Sequence, residues 1–163
     1  MSTEASNIVV KLAEVKDKQG ILDIISMVHK KHCGNEPSIF KPCDRKDLDL
    51  EYLNEEDYGT PCFTFVAKLD NKIVGIVCIS LQIIPETLIM YEKHKCHIDC
   101  IGVLEEYQGK GIGKALINKV IEFAKQEKFD YIDLGVWSFN KQAQEFYKHC
   151  GFEEKFSKMG IVI

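Results

Sequence analysis

Apolar positions along the chain follow two periods, and the switches between them predict the order of elements. Short β-branched or alternating runs mark strands, whereas apolar residues three and four apart mark one face of a helix. Ile8 to Leu12 reads as a first strand, after which Ile21, Ile24, Ile25 and Val28 recur at helical spacing until Gly34, Asn35 and Pro37 break the pattern. Cys62 to Leu69 and Lys72 to Leu81 are strand-like runs joined by Asp70-Asn71, a two-residue signal for an antiparallel hairpin, and Pro85 closes the second run. Ile98 to Val103 is the next strand. Gly109 then opens a helix whose Ile112, Ala115, Leu116, Val120, Phe123 and Ala124 form one apolar face. Tyr131 to Trp137 is a further strand, Asn140 an N-cap, and Ala143, Phe146 and Tyr147 the inner face of a short helix that Gly151 ends. The tail from Lys158 to Ile163 offers a last edge strand. No repeat or linker interrupts this order, which predicts a single domain over residues 1–163. Its fold class is α/β (α+β): a mixed, mostly antiparallel central sheet flanked by helices, with one parallel crossover.

Composition narrows the function. A chain of 163 residues is long enough to bury about two-thirds of its unfolded surface. A formal charge of −4 supplies no general basic surface for phosphate neutralisation, so nucleic acid is not an expected partner. No segment reaches the roughly 18 apolar residues that span a bilayer, and the first residues lack a basic flank with an apolar core. A cytoplasmic monomer or homodimer without membrane attachment is expected.

Seven cysteines without a disulfide framework suit a reducing compartment. The cluster His94, Cys96, His97, Cys100 invites a metal reading, but alternation along a strand sets Cys96 and Cys100 on one side and His97 on the other. His29, His32 and Cys33 at a helix end are an equally weak set, and no metal is expected. From Asp44 to Asp57, seven acidic residues face two basic ones. This stretch is either a solvated surface or a field that attracts a cationic acceptor.

The run Gln108-Gly109-Lys110-Gly111-Ile112-Gly113-Lys114 lies between a strand and a long helix. Unpaired N–H groups and the helix dipole make such a place an anion site. A dinucleotide GxGxxG begun at Gly109 would need glycine where Lys114 stands, and the Gly-Lys pair of a Walker loop is missing at its required spacing. Taken alone, the loop is also consistent with a glycine-rich turn that only starts a helix.

The loop resembles the acetyl-CoA signature of the GNAT superfamily of N-acetyltransferases: Gln or Arg, two residues, Gly, one residue, Gly or Ala. Gln108, Gly111 and Gly113 fill it. Val103 to Tyr107 resembles the family's approach to that loop, and Asn140, Ala143, Tyr147 and Gly151-Phe152 resemble its second cofactor-contacting motif.

The resemblance implies an acyl-CoA N-acyltransferase fold with a bulged strand before the glycine loop. It also implies direct acetyl transfer from acetyl-CoA, a co-substrate needing no metal, to a primary amine of a small molecule or peptide. The backbone N–H groups of Gly109, Lys110, Gly111, Ile112, Gly113 and Lys114 would hold pyrophosphate, with charge from the two lysines. Asn140, Ala143, Phe146 and Tyr147 would form the second contact. Ile101, Gly102 and Val103 would meet the thioester carbonyl and the pantetheine arm. Gly102 suits the bulge, although a strand glycine also marks close packing.

Tyr147 matches the family's general acid. The strand glutamate that relatives use as base is absent, and His97 and Asp99, which share a face with Ile101 by alternation, are candidates in its place. A ladder role for each, or a water chain to solvent, is the alternative. Cys150 beside His149 stands at a helix end, where the dipole disfavours a thiolate nucleophile. The missing glutamate keeps one rival open, a catalytically silent acetyl-CoA-binding sensor or interaction module.

Overall fold

The computed structural model describes residues 7–44, 56–57, 60–161 and 163. Its strands are β1 (Val9–Leu12), β2 (Glu56–Asp57), β3 (Thr60–Leu69), β4 (Lys72–Ile84), β5 (Lys93–Val103) and β6 (Tyr131–Leu134). Three helices accompany them: α1 (Lys18–Asn35), α2 (Ile112–Gln126) and α3 (Lys141–His149). The sheet order is β1-β3-β4-β5-β6, with β2 paired to β3. Every pairing is antiparallel except β5 with β6, whose connection runs through α2.

Asp70 and Asn71 take φ of 48° and 66°, the left-handed pair of a type I′ turn, whose twist matches the strands it joins. Both faces of β3 and β4 are covered, which explains their nearly unbroken apolar runs. On one face Phe65, Val77, Ile79 and Ile98 pack with Leu116, Ile117 and Val120 of α2. On the other Val66, Ile76 and Cys78 pack with Ile21 and Ile24 of α1. A buried ion pair, Lys68 Nζ to Asp17 Oδ1 at 2.5 Å, ties the start of α1 to β3.

The elements depart from the sequence reading at several ends. β5 starts at Lys93, five residues before Ile98, and β6 stops at Leu134 rather than Trp137. The helix expected from Gly109 begins at Ile112, because Gly109 and Gly111 have positive φ and cannot continue a right-handed helix. Residues 158–161 and 163 form no strand, and Met159, Ile161 and Ile163 stand exposed. Most of the acidic run, residues 45–55, lies outside the described residues. No helix among the described residues is long and apolar enough to cross a membrane.

Candidate active site

β5 and β6 pair from Lys95 with Tyr131 to Ile98 with Leu134, and then part. β5 continues to Val103 against β4, whereas the chain leaves the sheet at Gly135. The parting coincides with an irregularity in β5. Cys78 faces Cys100 and Ile79 faces Ile98, so Asp99 is an extra residue and the strand bulges there. A bulged strand therefore precedes the glycine loop, but at Asp99 and not at Gly102.

Gly102 answers a packing demand. A Cβ there would lie 2.6 Å from Ile24 Cγ2 and 2.9 Å from Val28 Cγ2, so only glycine lets α1 approach β5 this closely.

The extra residue also reverses the alternation. Cys96 and Ile98 belong to the α2-side core before the bulge, and Ile101 and Val103 pack on that side after it, whereas Cys100 packs on the α1 side. Cys96 and Cys100 thus face opposite ways, and His97 and Asp99 do not share a face with Ile101. Among the described residues no group of three His, Cys, Asp or Glu side chains is arranged to hold a metal.

The free edge of β5 supplies donors. Leu104 N–H donates to the Val74 carbonyl at 2.9 Å. Antiparallel alternation then directs the backbone groups of Ile101 and Val103 away from β4, into the gap left by β6. The Val103 carbonyl agrees, since it accepts from Gln108 Nε2 at 3.0 Å. The signature glutamine therefore pins the approach loop to the strand.

Gly109 and Gly111 have φ of 75° and 82°, and a Cβ on either would meet nothing within 4 Å. Gly111 is the N-cap of α2 and no side chain caps it, so the first-turn N–H groups fit an approaching pyrophosphate. Gly113 has a second duty: its Cβ would come within 3.0 Å of Phe146 Cζ, so α3 also leans on this glycine. Ile112 is buried in the core and Phe146 packs against it, which leaves backbone as the part of Ile112 that can face a ligand. Lys110 Nζ lies 5.3 Å above the Tyr107 ring, and Lys114 is exposed.

Asn140 caps α3, its Oδ1 accepting from Ala143 N–H at 3.3 Å. The same oxygen accepts from Lys31 Nζ at 3.2 Å, which links α3 to α1. Tyr147 packs between Phe146 and Phe152. Burial, and then the nearby Cys100 and Cys150 thiols, push its phenol well above the ordinary tyrosine value, so it keeps its proton at any physiological pH.

A cleft of roughly 1820 Å³ brings several of these residues together: Ile101, Gly102, Val103, Gln108 and Asn140 line it opposite α1. Its charged lining mixes Lys18, Lys30 and Lys31 with Asp23, Asp44 and Glu105. His97 and Asp99 are not in that lining, and neither are Ala143, Phe146, Tyr147 or the residues from Gly109 to Lys114. His97 Nδ1 is 2.6 Å from Asp133 Oδ1, and Lys95 holds the other Asp133 oxygen at 3.1 Å. Asp99 accepts from Ser80 Oγ at 3.1 Å. Burial pushes the Cys150 thiol up and Lys114 only partly opposes it, a poor setting for a thiolate nucleophile. His32, which the sequence offered only as part of a weak metal set, lines the cleft; the signal for that place is its position four residues after Val28 on the apolar face of α1.

A parallel strand pair that parts at a bulge, beside a glycine-started helix with no side-chain cap, is the arrangement expected of an acyl-CoA N-acyltransferase fold. The chain belongs to the acetyltransferase (GNAT) family, whose model matches residues 27–152. It is 41% identical over 140 residues to an uncharacterized N-acetyltransferase of Methanocaldococcus jannaschii, covering 85% of this chain and 58% of that protein. The chain thus spans little more than half of that relative's length. Its fold is similar to that of a mutant BH1408 protein from Bacillus halodurans, with a TM-score of 0.84 and 22% identity over 95% of this chain and 99% of that one. It is also similar to that of AAC(6′)-Iy in complex with a CoA-containing bisubstrate analogue, with a TM-score of 0.67 and 13% identity over 97% and 99% of the two chains.

Proposed function

We propose that this protein transfers an acetyl group from acetyl-CoA directly to a primary amine of a small molecule or peptide. The observation that carries the reading is the gap between β5 and β6. The Ile101 and Val103 amides open into it, Phe146 of α3 leans on Gly113 in the first turn of α2, and the Tyr147 phenol lies near Cys100 of β5.

In this reading the backbone amides from Gly109 to Lys114, in the glycine loop and the first turn of α2, bind the pyrophosphate, with Lys110 and Lys114 adding charge. The Ile101 and Val103 amides run along the pantetheine arm and meet the carbonyl oxygen as it gains negative charge. Asn140 and Ala143 shape the wall where the arm passes α3. Tyr147, kept protonated by its burial, donates to the departing sulfur. The cleft side lined by α1 receives the amine. Its mixed lysine and carboxylate lining suits a polar acceptor bearing charges of both signs as well as a cationic one.

Isothermal calorimetry with acetyl-CoA, followed by thiol release with spermidine, kanamycin, a lysine-containing peptide and L-aspartate, tests the proposal. A silent binding module binds acetyl-CoA and releases no thiol with any amine. The enzyme releases CoA with at least one, and a steered cationic acceptor loses rate as salt rises. Tyr147→Phe is expected to keep acetyl-CoA affinity and lower turnover at least about tenfold. Unchanged turnover with chemistry rate-limiting removes Tyr147 from the acid role. His97 and Asp99, the bases expected from the sequence, lie outside the cleft lining, and an unaltered pH–rate profile in His97→Ala, Asp99→Ala removes both from the mechanism.

A further inference from the structure

Deprotonation of the acceptor is the step the cleft has to explain, since His97 is engaged by Asp133, and neither it nor Asp99 lines the cleft. Of the five histidines, four are committed through a ring nitrogen. His29 Nε2 bonds the Lys41 carbonyl at 2.9 Å, His94 bonds Glu92 at 3.1 Å, His97 bonds Asp133 at 2.6 Å, and His149 Nδ1 bonds the Glu145 carbonyl at 2.6 Å. His32 alone has no hydrogen bond through either ring nitrogen to any of the described residues. It is also the only one of the five that lines the cleft.

Its placement is defined. Val28 packs over Gly102, and His32 follows four residues later on the same face, about 6 Å further along α1. The ring is stacked on Phe40, with centroids 4.9 Å apart and planes 19° apart, and Phe139 meets it edge-on at 6.1 Å. Phe40 in turn rests on Trp137 at 5.3 Å. Three separate stretches of chain thus hold one imidazole beside the gap while leaving its nitrogens uncommitted.

We propose that His32 is the general base of this site, accepting the proton of the acceptor ammonium; the inference rests on the acetyl-transfer reading above. The ring nitrogen takes one proton from the ammonium and passes it to solvent. The freed nitrogen forms its bond to the carbonyl carbon, the carbon–sulfur bond breaks, and Tyr147 gives the sulfur a proton. The nitrogen's second proton goes to solvent, from which Tyr147 recovers its own, so one proton is released per turnover. Burial first, and then His29 and Lys31, lower the imidazole's pKa, which keeps it neutral and able to accept at neutral pH. Cys43 and Asp44 line the same cleft from the segment after α1, and the β6–α3 loop presents the uncharged Trp137, Phe139 and Asn140.

The experiment is the pH dependence of kcat/KM for thiol release with whichever of the four amines reacts, in the parent, His32→Gln and His32→Phe. The parent is expected to show an acid limb with an apparent pKa below about 6.5. Both variants lose that limb and at least about a hundredfold in kcat, with acetyl-CoA affinity unchanged by calorimetry, and added imidazole restores part of the rate to His32→Gln. His32→Phe keeps the aromatic stack, so a purely structural histidine leaves its rate near the parent's. An acid limb that survives in the variants overturns the base role while acetyl transfer stands. Thiol release by no amine overturns the transfer reading, and the base role with it. Should the variants misfold, NMR titration of the parent histidines decides: an imidazole with apparent pKa at or above the free value overturns the proposal.

Discussion

Gly102→Ala tests whether this glycine exists for close packing. The φ of Gly102 is not positive, so alanine adds no backbone strain and the perturbation is a single methyl group. That methyl would sit 2.6 Å from Ile24 Cγ2 and 2.9 Å from Val28 Cγ2, whereas carbon atoms in contact prefer about 3.5–4.0 Å. Ile24 is 0% exposed and cannot swing into solvent, so α1 must lift by roughly 1 Å or both side chains must leave their rotamers. Overpacking of this kind costs about 1–3 kcal/mol. In a protein of this size that lowers Tm by about 2–12 °C, at about 2–4 °C per kcal/mol. Urea and thermal unfolding of Gly102→Ala, Ile24→Ala and the double variant form a cycle. Ile24→Ala alone loses about 2–5 kcal/mol of packing, but it also vacates the space the new methyl needs. The double variant should therefore be more stable than additivity predicts by at least about 1 kcal/mol. Stability of Gly102→Ala within about 0.5 kcal/mol of the parent, or strict additivity in the cycle, refutes the packing argument.

Gly111→Ala forces a β-carbon into the left-handed region at φ 82°, and should cost about 1–2 kcal/mol in denaturant titration while weakening acetyl-CoA binding in calorimetry, because the α2 amides turn with it. Lys68→Met leaves the Asp17 carboxylate buried without its cation and is expected to cost about 3–5 kcal/mol. Burial opposes ionisation of Asp17, but the Lys68 and Glu14 N–H hydrogen bonds outweigh it and hold the folded-state pKa below the ordinary value. The pair's contribution is therefore complete above about pH 4 and fades as pH falls through the lowered folded-state pKa. Asp17→Asn should accordingly show a shallower loss of stability in acid than the parent, measured by urea midpoints from pH 6 to pH 2.

What could be read along the chain was what depends on near neighbours. The Asp70-Asn71 turn, the apolar face of α2 and the Asn140 cap each follow from backbone preferences and spacing within a few residues, and all three are present. The family signature in Gln108, Gly111 and Gly113 is equally local, since its residues set the backbone at one helix start. The bulge was not legible in position, because which residue of β5 is the extra one depends on its register with β4, set by pairs such as Cys78 with Cys100. That one residue reverses every later alternation, which is why His97 and Asp99 fall away from the face of Ile101. Gly102 and His32 were decided in the same way. The demand on one comes from Ile24 and Val28, far back along the chain, and the seat of the other from Phe40, beyond the end of α1, and the distant Phe139. The chain's own periodicity and local spacing determined the elements and the glycine loop; the packing of α1 over β5, and the parting of β5 from β6, decided which side chains share a cleft.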